Sequence, residues 1–415
     1  MKKLLGLLLV MTMAWPVAAS ADVLKNVDLK GEVQVIGSDV RANEGDVYNS
    51  GTNLRVMAGA SFNLVEDVRA NLMFQYANAW GNAPLADQGF GTNGRTAQDY
   101  LNDVKLAEAN VVLSNLFDCF ELTIGRQFYG DENSAVMYFG PNHYNAERYG
   151  LANSLDAVKF TYSDDAKAFT VLAGRVVTTT NPADVTPAPT VLKDNASIYG
   201  ADFKLNLTEA LKWQVYGYDL RNVAYATIDA DGHVVNAADE NVGFYGTKLA
   251  FAPEAFTVSA EYARNFAGDR LVKEHKDTGY MVKADAALNL EAFTPRFAFV
   301  YSANEFNAFG NYMPGLLVGH SVDVFNAYDG KGLRLFNVGV DYNYGKWTFA
   351  LDGYSFQDRY ATYAATLEAD LTAKYAHNEY VELFAGVGYA KYGTEEKVEI
   401  GQDNTKGQIG MLLKF

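Results

Sequence analysis

The chain has 415 residues, 34 Lys and Arg against 50 Asp and Glu, a net charge of −16, 13% aromatic residues and one cysteine. That acidic balance excludes a general nucleic-acid binder, which needs excess basic surface to displace phosphate counterions. The lone Cys119 excludes an intramolecular disulfide and a cysteine-rich metal site, and no linker or composition shift divides the chain, so one large domain is allowed.

Residues 1–21 read as a unit of their own. Lys2 and Lys3 precede an apolar run from Leu4 to Val10 that extends to Trp15, and Ala19-Ser20-Ala21 follows. This is the order of a cleaved secretory signal peptide, short for a membrane span; an uncleaved anchor is the competing reading. The exported domain is then 22–415.

Beyond it, alternation of period two replaces helical spacing. Leu54, Val56, Ala58, Ala60, Phe62 and Leu64 interleave with Asn53, Arg55, Ser61 and Asn63, one set on each face of a strand. The same pattern predicts eighteen strands, near 27–38, 52–64, 68–78, 103–113, 120–128, 155–162, 168–176, 196–207, 211–221, 240–251, 256–265, 279–288, 293–302, 334–344, 347–356, 363–375, 380–390 and 407–415. Most reach the ~9–11 residues with which a tilted strand crosses a bilayer. Short connections such as Val65-Glu66-Asp67 and Gly345-Lys346 alternate with long ones at 79–102, 129–154, 177–195, 222–239 and 303–333.

Aromatics favour a membrane barrel over a soluble sandwich. Tyr162, Phe169, Trp213, Phe251, Phe256, Phe293, Tyr344, Trp347 and Tyr375 sit at turn-proximal strand ends on the apolar face; Tyr76, Tyr262, Tyr280, Tyr301 and Tyr389 sit near the long loops. Two girdles around an aliphatic band match the two lipid–water interfaces. The chain ends on Gly407, Ile409, Met411, Leu413 and Phe415 in alternation, which resembles the terminal strand of bacterial outer-membrane barrels, with Phe415 as the assembly signal. Open sheet edges in hydrocarbon would leave backbone groups unpaired, so the sheet must close. The expected fold is an all-β, transmembrane antiparallel barrel of about eighteen strands in the outer membrane, both termini periplasmic. That width leaves an aqueous channel.

The polar face becomes the lining. Alternation places there Lys30, Arg55, Arg69, Lys159, Lys204, Lys212, Lys248, Lys283, Arg296, Lys374 and Lys414 against Glu32, Glu108, Glu121, Asp202, Glu261, Asp285, Asp341, Asp352, Glu368, Asp370 and Glu382. Such a wall favours neither ion sign, and cross-strand pairing accounts for most of these charges.

Three blocks carry a family resemblance: Glu108-Ala109, then Ile124-Gly125-Arg126-Gln127-Phe128-Tyr129-Gly130-Asp131, then Leu155-Asp156-Ala157-Val158-Lys159-Phe160-Thr161-Tyr162. They resemble the successive blocks of the alginate-export family of outer-membrane porins, with Leu155 and Ala157 in place of the usual Phe and Gly. The resemblance implies a monomeric eighteen-stranded channel with a narrowed lumen, and it supports a channel of this general type rather than alginate as the solute.

Strict alternation points Arg126 and Asp156 at lipid, where an Arg costs ~2–4 kcal/mol at the midplane and much less at the interface. Either a bulge at Gly125 turns Arg126 inward, which is the expectation here, or both residues pair at the rim. The narrowest section is then assigned to Glu108, Arg126, Asp156 and Lys159 with Tyr138, Tyr144 and Arg148 from the connection above. Residues 131–154 either enter the channel or pack on the rim; residues 303–333, with Phe306, Phe309, Tyr312, Leu316, Leu317 and Val318, carry too much apolar area to hang in water and are expected in the vestibule.

The function these features predict is passive diffusion or export of small hydrophilic solutes, sugars or oligosaccharides foremost, with lipid, lipopolysaccharide and the barrel-assembly machinery as partners and no cofactor or metal. A structural or receptor-type surface protein is the alternative. A barrel enzyme ranks third, since His143, His233, His275, His320 and His377 all fall in loops or turns without an adjacent Ser nucleophile or Asp pair.

Overall fold

The computed structural model describes residues 27–42, 48–81, 104–144, 152–177, 196–228, 234–267, 279–303, 306, 308–318, 332–360, 364–393 and 403–415. The signal-peptide segment 1–21 lies outside the described residues. The strands are β1 Val27–Ala42, β2 Tyr48–Val65, β3 Val68–Gly81, β4 Lys105–Leu116, β5 Phe120–Gln127, β6 Tyr129–Gly130, β7 Tyr138–Phe139, β8 Ser154–Ser163, β9 Lys167–Val177 and β10 Ser197–Asn206. They continue as β11 Leu211–Ile228, β12 Val234–Phe251, β13 Phe256–Ala267, β14 Tyr280–Leu288, β15 Phe293–Ala303, β16 Leu333–Tyr344, β17 Trp347–Asp358, β18 Thr366–Ala376, β19 Val381–Lys391 and β20 Asn404–Lys414.

β6 and β7 form a two-residue pair inside a loop; the other eighteen strands make one sheet in which each pairs antiparallel with its neighbours in sequence. The sheet closes where β1 meets β20, from Glu32 opposite Lys414 to Ala42 opposite Asn404. All eighteen strands predicted from alternation are present. The physical reason is that a barrel wall between lipid and water converts the pleat directly into period-two patterning.

One expected long loop is different. Residues 222–228 and 234–239 continue the β11–β12 ladder to Ile228 opposite Val234, with a register shift between Leu220 and Val223 where Asn222 adopts φ 61°. Their polar, alanine-rich sequence lacks the apolar face a membrane strand shows, so alternation could not reveal pairing that continues beyond the bilayer.

The outer face is apolar between aromatic bands. On the turn side Phe293 packs against Tyr342 at 4.8 Å between ring centroids and Trp347 against Tyr375 at 4.7 Å; on the long-loop side Tyr280 bridges Tyr262 and Tyr301 at 6.4 and 6.0 Å. Val338, Leu351, Leu371, Val387 and Ile409 are exposed between them.

The closing seam depends on Gly31. Its N–H donates to the Phe415 carbonyl at 2.8 Å, and the Phe415 N–H donates back to the Gly31 carbonyl at 3.0 Å. A Cβ at Gly31 would stand 2.5 Å from the Met57 carbonyl oxygen and 2.7 Å from the Phe415 ring. Gly31→Val is therefore expected to cost about 1–3 kcal/mol by overpacking, read as a lower unfolding temperature and a lower refolding yield; a variant that matches wild type in both would show that the seam tolerates the side chain.

Candidate functional site

The inner wall carries charges of both signs, and most are paired. Arg55 is fully buried, donating from Nη2 to Glu32 Oε1 at 2.7 Å and to Gln34 Oε1 at 2.9 Å. Arg296 bridges Asp341 and Asp352 from Nη2 at 2.7 and 3.0 Å. Asp202 accepts from Gln214, with Lys204 close enough to act on its charge. Lys30 donates to Asn71 Oδ1 at 3.2 Å and lies 3.8 Å from Glu108, on whose charge Lys159 and Arg69 also act.

Two loops cross this lumen and pack on one another. Ser134 Oγ accepts from the N–H groups of Val136 and Met137, shaping the turn that returns the chain to β7. The second loop meets it backbone to backbone: Tyr138 N–H donates to the Phe309 carbonyl, Phe309 N–H to Val136 and Asn311 N–H to Ser134, each at 2.8 Å. Met137, Phe139, Phe306 and Leu317 then join Leu155, Ile198, Leu220, Phe244 and Phe356 in one buried cluster against the inner wall. Burying this apolar area explains why both segments leave water, and it settles residues 131–144 as inside the lumen.

Each loop is also held by charge. His143 contacts Glu32 Oε2 through Nε2 and Glu132 Oε2 through Nδ1, both at 2.8 Å, which extends the Arg55–Glu32 pair into the loop. Burial works against a charged imidazole, but the hydrogen bonds it donates to Glu132 and Glu32 outweigh it and hold the His143 pKa above its usual 6.5. Glu132 is likewise desolvated, yet its bonds to His143 leave its pKa below the usual carboxylate value. Tyr144 lies with Lys374 Nζ 3.7 Å from its ring centroid and packs edge-on against Phe384 at 5.0 Å. In the second loop Glu368 accepts the N–H groups of Leu316, Leu317 and Val318 at 2.6–2.9 Å, Asp370 accepts Leu316 N–H at 2.9 Å, and Lys406 Nζ donates to the Leu316 carbonyl at 2.8 Å. Successive N–H groups converging on one carboxylate form an anion nest. Gly315, at φ 80°, opens that turn, and a Cβ there would meet Glu368 Oε1 at 2.6 Å.

The constriction expected from sequence divides into separate places. Glu108 and Lys159 share the lumen wall with Lys30. Tyr138 lies in the loop, its hydroxyl donating to the Pro141 carbonyl at 2.7 Å, and Tyr144 belongs to the wall of β18–β20. Arg148 lies outside the described residues. Arg69, Lys204 and Glu382 keep their inward phase, with Glu382 acting on both Tyr144 and Lys374.

The inward orientation of Arg126 is corrected. Pairing runs unshifted through Gly125 on both sides, from Ile124 opposite Val158 to Arg126 opposite Asp156, so no extra residue resets the alternation; Gly125 takes φ 118° instead. Leu155 and Ala157 are buried in the inner cluster, which leaves Asp156 outside with the exposed Ile124 and Val158. The predicted pair does form, from Arg126 Nε and Nη2 to the two Asp156 oxygens at 2.8 and 2.9 Å. Arg126 and Asp156 stand six residues from the turn-side aromatics Phe120 and Tyr162, about 20 Å along a strand and ~15 Å across a bilayer at a 40° tilt. That is the half of the apolar band nearer the long connections, where a paired guanidinium reaches headgroups by snorkelling.

Sequence reasoning gave no role to Lys406, and it read His143 and Glu132 as solute- or ion-facing loop residues rather than as the groups that anchor the loop to Glu32. Lys406 was legible, since it shares the phase of Gln408 just before the expected start of the last strand. His143 and Glu132 were not, because nothing local in a loop tells which wall it will meet.

No protein-family model and no curated relative matches the sequence. Solved structures do match over nearly the whole length. OccK5 (OpdH) of Pseudomonas aeruginosa is similar at TM-score 0.62 and 10% identity, covering 95% of this chain and 100% of that one. OccAB4 of Acinetobacter baumannii gives 0.63 and 11%, covering 94% and 98%; the outer membrane protein opdK of Pseudomonas aeruginosa gives 0.61 and 8%, covering 94% and 98%. At these identities the likeness carries architecture: the chain is a transmembrane antiparallel β-barrel of eighteen strands, closed from β1 to β20 and built on the same plan as those proteins.

Proposed function

We propose that this protein is a porin of the bacterial outer membrane, through which small hydrophilic solutes diffuse passively, sugars and short oligosaccharides foremost. The observation that carries the reading is a closed eighteen-stranded wall whose inner face carries charges of both signs, with an apolar patch on which two inward-folded loops pack and narrow the passage. The partly accessible lumen charges, Arg296 with Asp341 and Asp352 and Lys30 with Glu108, present donors and acceptors to hydroxyl-rich solutes, and their pairing leaves little net field for a polyanion. A uronic-acid polymer is accordingly a less suitable cargo than neutral sugars. The chain works as a monomer with both termini in the periplasm, its signal peptide removed, assembled by the barrel-assembly machinery through the strand ending at Phe415.

Purified protein in a planar bilayer is expected to give stepwise conductance with weak ion selectivity by reversal potential, and reduced current in concentrated maltooligosaccharide. A barrel that inserts without conducting overturns the proposal in favour of a surface receptor; strong anion preference would redirect it toward the uronic-acid polymer.

A further inference from the structure

The outer face holds a row of polar residues that the channel does not use. Strand register aligns Arg126, Asp156, Arg175, Ser197 and Arg221 side by side across β5, β8, β9, β10 and β11. These positions alternate with buried inward residues such as Leu155, Val176, Ile198 and Leu220, so the row faces away from the lumen. At its ends the arginines are balanced: Arg126 by Asp156, and Arg221 by Asp219 at 2.8 Å, with the Arg221 guanidinium carbon 5.2 Å from the centre of the Tyr199 ring. Arg175 lies between them, exposed, and among the described residues the two carboxylates of the row are paired with Arg126 and Arg221 and not with it. The strip thus carries three guanidinium groups against two carboxylates, at strand ends that lead into long connections.

A fixed positive charge on the lipid-facing side of a barrel calls for an anion that comes with the lipid. We propose that this strip binds the phosphate of a phosphorylated glycolipid of the outer leaflet, with Arg175 as the principal contact and Arg126 and Arg221, held in place by their own carboxylates, flanking it. Guanidinium suits the role because it donates in parallel to two phosphate oxygens. Ser197 adds a hydroxyl donor, and Tyr199 an aromatic surface beside the Arg221 guanidinium. The inference rests on the outer-membrane reading of the protein but not on conduction.

The test uses the full-length barrel, purified in lipopolysaccharide-free detergent, and bisphosphorylated lipid A against its dephosphorylated form, with binding followed by native mass spectrometry. Wild type is expected to retain the phosphorylated lipid in preference, and Arg175→Ala to weaken that retention about tenfold while leaving the dephosphorylated form unchanged. Arg175→Lys should recover part of the loss, since charge returns without the bidentate geometry. Arg126→Ala/Asp156→Ala, which removes a balanced pair, is expected to have the smaller effect. Bilayer conductance of Arg175→Ala should equal that of wild type, so a non-conducting barrel that still binds lipid would fail the channel reading alone. Equal retention of both lipids by wild type, undiminished retention by Arg175→Ala, complete competition by inorganic phosphate, or a lipid-independent dimer that dissociates on this substitution would each overturn the proposal.

Discussion

Replacing Glu368 by alanine is expected to raise single-channel conductance severalfold. Its carboxylate is buried and accepts three successive backbone N–H groups, those of Leu316, Leu317 and Val318. Hydrogen bonds to a charged group contribute roughly 1.5–3 kcal/mol each, and removing the acceptor also strands the donors away from water. The loss is therefore expected to loosen the 316–318 turn from the wall, where Asp370 on Leu316 N–H, Lys406 on the Leu316 carbonyl and the apolar contacts of Leu316 and Leu317 act against release. Glu368→Ala/Asp370→Ala should exceed the single variant, while Glu368→Gln, which keeps one acceptor oxygen, should fall between it and wild type. Limited proteolysis within 308–318 supplies a second readout, because a released segment becomes accessible. Unchanged conductance together with unchanged proteolysis would show that the apolar cluster alone holds the loop.

Alkaline pH should loosen the first loop through His143. The folded-state pKa of His143 lies above the usual 6.5, so the stabilisation from its proton is complete below that value and is lost as pH rises through the raised one. Deprotonation leaves one ring nitrogen without a hydrogen, and one of its two carboxylate partners, Glu32 or Glu132, loses its donor. On the acid side the sign reverses: the Glu132 pKa is depressed, so its contribution is present above the ordinary carboxylate value and disappears as pH falls through the lower one. Conductance is thus expected to be lowest at mildly acidic to neutral pH and to rise reversibly on the alkaline side. His143→Gln should remove the alkaline rise and conduct more than wild type at neutral pH. A pH profile that survives this substitution would assign the titration elsewhere.

The architecture was legible in the sequence because a membrane barrel imposes one constraint on every strand. Each residue faces either lipid or lumen, so the alternation from Leu54 to Leu64 or from Gly407 to Phe415 reads the wall directly, and the aromatic girdles mark its height. Charges such as Arg55, Arg296, Asp352 and Glu382 were placed on the lumen side for the same reason. Arg126 and Asp156 were legible as a pair but not in direction, because a glycine can either host a bulge or absorb the twist at positive φ, and only the observed register distinguishes the two.

What the tertiary structure alone decided is how the lumen is narrowed. His143 meets Glu32 across 111 positions of sequence and Lys406 reaches Leu316 across 90. Loops carry no periodicity that reports their neighbours; their partners are chosen by barrel closure, which brings β1 beside β20 and so places distant carboxylates within reach of buried loop N–H groups that would otherwise lack acceptors. The ladder continued to Ile228 and Val234 is the converse case, since strand pairing outside the bilayer needs no apolar face and leaves no alternating trace. Sequence therefore determined the wall, through the two solvents it separates; long-range packing determined the constriction, through hydrogen bonds that exist only once the wall has closed.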